Sequence, residues 1–232
     1  MTGVRPVLVL THAPHEGPGL IAPVLDAPVR VRTVVSSQDP VLPGLDEVSG
    51  IVVMGGAMDA DDVRYPGLAA EKRLLAEAVA ADVPVLGVCL GMQLLALALG
   101  SELQRRHGTE IGFAPVDVVG DDPVLGPLGE RPTVLHWHDD AVTLPSGATL
   151  LASTAITPVQ AFRSGSALGV QFHPELEPRM LDLWLATPEM VDDLADDEIE
   201  AIRADGDKYL PDLAPAARAM VGGFAEQVRA RG

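Results

Sequence analysis

Val83-Pro84-Val85-Leu86-Gly87-Val88-Cys89-Leu90-Gly91-Met92-Gln93-Leu94-Leu95 is the stretch whose reading decides the fold. Its first residues form a short apolar run, the pattern of a buried strand. Leu94, Leu95, Leu97, Ala98 and Leu99 continue as an apolar helix that stops at Gly100. Between them, Gly87-Val88-Cys89-Leu90-Gly91 has to turn sharply. Strand, tight turn and helix with Cys89 at the apex make a nucleophile elbow in its cysteine form, G-x-C-x-G. The glycines two residues either side leave room for a strained backbone that pushes the thiol into solvent. Unpaired N–H groups at the helix start favour thiolate over thiol. Cys89 is the single cysteine of the chain, and a small buried apolar residue is the competing reading of it.

The surrounding composition suits an α/β protein of one domain. Apolar residues make up 47% of 232, aromatics only 3%, and Ala, Val and Leu dominate, as expected of helices packed on a sheet. A lone cysteine excludes an internal disulfide framework and points to a reducing, cytosolic setting. Met1-Thr2-Gly3-Val4-Arg5-Pro6 leads into too few apolar residues for a signal peptide. No apolar stretch is long enough for a membrane span. A net charge of −17 argues against nucleic acid or an anionic membrane as partner.

Upstream of the elbow, Val7-Leu8-Val9-Leu10 reads as a first buried strand. The loop after it carries His12 and His15, near the end of a parallel sheet where sites collect, although loop histidines are mostly solvated. A short helix and the β-branched run Val29–Val35 come next. Gly50-Ile51-Val52-Val53-Met54 is another strand, ending in Gly55-Gly56-Ala57-Met58, where paired glycines let backbone N–H groups face a ligand. Pro66 opens a helix to about Ala81. Beyond Gly100 the pattern changes to short strands near Leu103, Pro115–Val119, Pro132–His136, Ala141–Leu144, Thr149–Ala152, Val159–Phe162 and Leu168–Phe172. From Glu175 the chain reads as helices over Pro178–Leu185, Pro188–Asp207 and Leu213–Arg229, with Asp192-Asp193 and Asp196-Asp197-Glu198 as a solvated face.

A cysteine nucleophile needs a base and a group that orients the base. Ala167-Leu168-Gly169-Val170-Gln171-Phe172-His173-Pro174-Glu175 supplies both: an apolar strand runs out at His173, Pro174 ends the pairing, and the Glu175 carboxylate can turn back to the imidazole. The expected triad is therefore Cys89, His173 and Glu175.

At this point the chain resembles the class I glutamine amidotransferases, which carry G-x-C-x-G-x-Q and a terminal H-P-E. These stand here as Gly87-Val88-Cys89-Leu90-Gly91-Met92-Gln93 and His173-Pro174-Glu175. The resemblance runs from the first strand to about Leu185. It is strongest to the stand-alone, GMP-synthase-like subgroup, through Gly55-Gly56-Ala57-Met58, Tyr65-Pro66, Glu110-Ile111-Gly112 and His136-Trp137-His138. It implies a three-layer, flavodoxin-like fold with a mixed, mostly parallel central sheet and flanking helices. Residues 1–185 would be the amidotransferase domain and 186–232 a helical extension packed on it, or offering a contact to a second copy or a synthetase.

The resemblance also assigns roles. Cys89 would attack the side-chain amide of glutamine or another γ-glutamyl amide, and His173 would protonate the departing nitrogen and later activate water. Glu175 would hold the imidazole. Backbone N–H groups of Gly56 and Leu90 would form the oxyanion hole, and Gln93, Gly55, Ala57 and His138 would contact substrate. No metal or redox cofactor is implied, and two histidines, His136 and His138, fall short of a zinc ligand set. Two departures stand out: Ala57 where the family often has proline, and His138-Asp139-Asp140 where GMP-synthase-type domains read His-Gly-Asp. No G-x-x-x-x-G-K-[ST] loop is present, so ammonia would pass to a synthetase on a separate chain. A γ-glutamyl peptidase with the same triad is the alternative, and a non-catalytic γ-glutamyl-binding regulator the third reading.

Overall fold

The computed structural model describes residues 5–34 and 41–231; Val35 and the first four residues lie outside that range. Five parallel strands form the heart of the molecule: β1 (Val7–Thr11), β2 (Val29–Thr33), β3 (Gly50–Val53), β4 (Val85–Val88) and β12 (Ala167–Val170). β11 (Ala161–Ser164), β10 (Thr149–Ser153) and β7 (Asp117–Val118) extend the sheet antiparallel, in the order β2-β1-β3-β4-β12-β11-β10-β7. Two short ribbons stand apart: β5 (Leu103–Gln104) with β9 (Ala141–Val142), and β6 (Glu110–Pro115) with β8 (Thr133–His138).

Alternation along the strands builds two cores. Leu8, Leu10, Ile51, Val53 and Val85 face α2 (Pro66–Ala80) and α3 (Leu90–Ala98). Val7, Val9, Val52, Leu86 and Val88 face the other way, where α1 (Ile21–Val24), α4 (Pro178–Leu185) and α6 (Asp196–Arg231) bring Ile21, Leu181, Trp184, Met220 and Phe224. Burial on both faces explains why these strands read as continuous apolar runs rather than alternating ones. The result is the expected three-layer α/β fold with a mixed, mostly parallel sheet.

Two sequence expectations need correction. The E-I-G segment is a strand, β6, which an internal glycine and a terminal proline disguise; its six residues pair with β8 from Glu110↔His138 to Pro115↔Thr133. The C-terminal helices also divide differently. Pro188–Val191 is a single turn, α5, and one helix then runs from Asp196 to Arg231 straight through Pro211 and Pro215. A proline inside a helix costs about 3 kcal/mol through its missing N–H and its clash with the preceding turn. Burial of Leu210, Leu213, Met220 and Phe224, each worth about 1.5–3 kcal/mol, offsets that cost.

Candidate active site

The elbow is strained where the sequence requires it. Cys89 sits at φ 51° and ψ −111°, in the left-handed half of the map that a side chain resists, but it is buried and not pushed into solvent as the elbow suggests. Both flanking glycines are needed to bring α3 onto the sheet. A Cβ on Gly87 would lie 2.6 Å from the Gly91 carbonyl oxygen, and one on Gly91 would collide with the Val53 carbonyl. The Cys89 N–H donates to the Val170 carbonyl of β12 at 2.9 Å, so the pairing of β4 with β12 sets the distance from nucleophile to base. The Gln93 N–H reaches back to the Cys89 carbonyl, which leaves the first N–H groups of α3, Leu90's among them, facing the turn.

Three residues past β12, the His173 N–H donates to the Leu135 carbonyl of β8 at 3.0 Å and fixes the chain as it leaves the sheet. Its Nδ1 donates to the Glu175 carboxylate at 2.8 Å, since an ionised carboxylate only accepts. Nε2 is buried without a hydrogen-bond partner of ordinary geometry. Burial would lower the proton affinity of His173, but Glu175 and the Cys89 sulfur beside it outweigh that and hold it well above its usual value. The indole of Trp184 stands edge-on to the imidazole at 4.9 Å and donates its own N–H to the His15 carbonyl at 2.8 Å. α4 thus supplies a clamp on the base that no motif announced.

A cavity of about 940 Å³ opens at this point. Cys89, His173, Gly56, Ala57, Gln93 and His138 line it, whereas Gly55 and Leu90 do not. Gln93 donates from Nε2 to Gln171 Oε1 at 3.2 Å. Glu16 also lines the cavity, and burial pushes its carboxyl up to about 6. A Cβ built on Gly55 would strike that carboxylate, so Glu16 is packed against the glycine turn.

The profile described as "Glutamine amidotransferase class-I" matches residues 24–186. The chain belongs to the class I glutamine amidotransferase family. Among solved structures, a glutamine amidotransferase from Thermotoga maritima superimposes with a TM-score of 0.87 at 27% identity, covering 96% of this chain and 99% of that one. A glutamine amidotransferase from Methylobacillus flagellatus gives 0.78 at 28%, covering 99% and 94%. One subunit of the glutamine-hydrolysing GMP synthase of Sulfolobus acidocaldarius is 41% identical over 101 residues, 41% of this chain and 53% of that protein. The chain spans about half the length of the first curated relatives it matches.

Two groups depart from their sequence reading. His12 is not a solvated loop residue. It is buried, its Nδ1 donates to the Gly55 carbonyl at 2.8 Å, and its Nε2 meets both oxygens of Glu71 at 3.1 Å. Burial would lower its proton affinity, but Glu71 and the Gly55 carbonyl raise it above the ordinary value. The His136–His138 pair, short of a zinc set by itself, gains Glu110 from β6. Ligand atoms of the three lie within 4.8 Å of one another. His138 Nδ1 faces the Asp140 carbonyl at 3.2 Å, while Gln160 Nε2 donates to Glu110 at 2.8 Å and approaches His138 Nε2 at 3.3 Å. Burial pushes His138 down to about 4, leaving it a neutral imidazole. The protein's own Gln160 amide therefore bridges carboxylate and ring. Glu16 and Glu71 escaped the sequence reading, and the parts played by His12 and Glu110 were not visible in it, because their partners are distant in the chain.

Proposed function

We propose that this chain hydrolyses γ-glutamyl amides, with glutamine the minimal substrate, through a thioester on Cys89. The observation that carries the reading is the pairing of a positive-φ cysteine at a helix start with a buried imidazole already tied to a carboxylate at 2.8 Å. The Cys89 thiolate attacks the γ-carbonyl carbon. The imidazolium of His173 gives its proton to the leaving nitrogen as the C–N bond breaks. A water then loses its proton to His173, attacks the thioester, and glutamate leaves with the thiolate restored. Glu175 fixes the tautomer that presents Nε2 to these steps and stabilises its charged form.

The oxyanion belongs in the N–H groups of Gly56 and Leu90. A trans peptide holds its C=O and N–H in opposite directions. His12 grips the Gly55 carbonyl from the buried side, outside the cavity, so the Gly56 N–H of the same peptide is turned toward the cavity. His12 and Glu71 are accordingly positioning residues. Ala57, in place of the family's proline, leaves this backbone donor in place.

Ammonia delivery to a synthetase on another chain is supported by the relatives that are separate subunits of glutamine-hydrolysing GMP synthases. Cleavage of larger γ-glutamyl amides is favoured by a specific observation, a cavity of about 940 Å³, at the top of the range that holds drug-sized ligands. Glutamate release by the purified protein from glutamine and from γ-glutamyl amides, with Cys89→Ala as control, tests the reading. Stoichiometric glutamate and ammonia or amine, lost in Cys89→Ala, is the expected result; release that survives the substitution overturns it.

A further inference from the structure

The cavity is not shaped only by the triad. Its outer wall comes from the C-terminal segment, with Glu189 on α5, Asp192 and Asp193 after it, and Asp205 on α6. Histidines and Cys89 aside, every ionisable residue lining the cavity is a carboxylic acid, and no lysine or arginine lines it although the chain has 16 of them. Among the described residues, no ion pair engages Glu189, Asp192 or Asp193, while Lys208 lies near Asp205 and Arg105 pairs with Asp59 at 3.3 Å. Trp137 also lines the cavity, set edge-on to Trp184 at 5.7 Å, with its carbonyl oxygen 3.8 Å from Cys89 Sγ. At the cavity floor the buried Nε2 of His173 has no hydrogen-bond partner of ordinary geometry, which marks the end at which a ligand is received.

We propose that the site takes γ-glutamyl amides whose leaving amine carries a second, cationic end, the amides of diamines and polyamines. This rests on the reading of Cys89 given above. The γ-glutamyl carbonyl sits at Cys89, and the chain beyond the scissile nitrogen runs past Trp137 toward the acidic wall. Carboxylates of one sign around a cleft focus the field and concentrate a cation, and an indole face favours an ammonium over neutral alkyl. Bonds change as in glutamine hydrolysis. Carbon–nitrogen cleavage leaves a thioester, the proton from His173 goes to the departing nitrogen, and the distal ammonium is a spectator throughout. Water then releases the thioester, so glutamate and a free diamine are the products.

The test compares the γ-glutamyl amide of 1,4-diaminobutane with γ-glutamyl butylamide, its neutral analogue of matching length, and with glutamine. For the purified full chain, kcat/KM for the diamine amide is expected to exceed that of the butylamide by at least about tenfold at low salt. The ratio should shrink at high salt. Combined Asp192→Asn, Asp193→Asn and Asp205→Asn should lower the diamine rate more than the butylamide rate. Equal use of the two amides, or a ratio indifferent to salt and to the wall variant, overturns the proposal while leaving Cys89 chemistry intact. Failure to release glutamate from any of the three overturns both.

Discussion

Two buried imidazole–carboxylate pairs stand at the carboxyl ends of parallel strands of one sheet, and they do different work. His173–Glu175 follows β12 and His12–Glu71 follows β1. In each the carboxylate raises the imidazole's proton affinity against the effect of burial. What separates them is the other ring nitrogen. Nε2 of His173 is unengaged beside Cys89, free to give and take a proton; Nδ1 of His12 is spent on the Gly55 carbonyl. On the function proposed here, the same chemical pair serves as a catalyst where one nitrogen is left open and as a latch where both are tied.

Substitutions can break this contrast. Cys89→Ala should remove glutamate release by on the order of 10⁶-fold, with the protein still folded by circular dichroism. Glu175→Gln should cost on the order of 10⁴ in kcat, because an amide can stabilise the wrong tautomer of His173. His12→Ala should lower kcat by about 10²-fold with little change in KM, the cost of a misdirected oxyanion donor. His12→Asn, which can still donate to a carbonyl, should recover part of it; a loss of stability with kcat unchanged would make the pair merely structural.

The smallest effect concerns Glu16, between the two pairs. Its folded carboxyl titrates near 6 against an ordinary 4.5 because it is buried. An acid whose folded pKa is raised favours the folded state below the unfolded value and loses that contribution as pH rises through the folded one. Glu16→Gln should therefore stabilise the protein at pH 7.5 by about 2 kcal/mol in urea unfolding, with the difference nearly gone at about pH 3.5. A full difference that persists at about pH 3.5 would assign the effect to packing instead.

The contrast also measures what a sequence discloses. The β4 elbow and the end of β12 were legible because strain, glycine spacing and a terminal Pro174 leave local traces around Cys89 and His173. The His12–Glu71 latch left none, since its members meet only after β1 and α2 pack together. β6 was missed because Gly112 and Pro115 weaken its alternation, and pairing with β8 alone makes it a strand. Pro211 and Pro215 suggested a helix break that the buried face of α6 overrides. Asp192 and Asp193, read as a solvated face, are indeed exposed and also rim the cavity, which no periodicity could reveal.

The central claim, a γ-glutamyl thioester on Cys89, is tested most directly by mass spectrometry of acid-quenched enzyme caught during turnover. The expected result is a γ-glutamyl group on the peptide containing Cys89 and on no other, absent from Cys89→Ala. Turnover that continues with no adduct on that peptide would contradict the account.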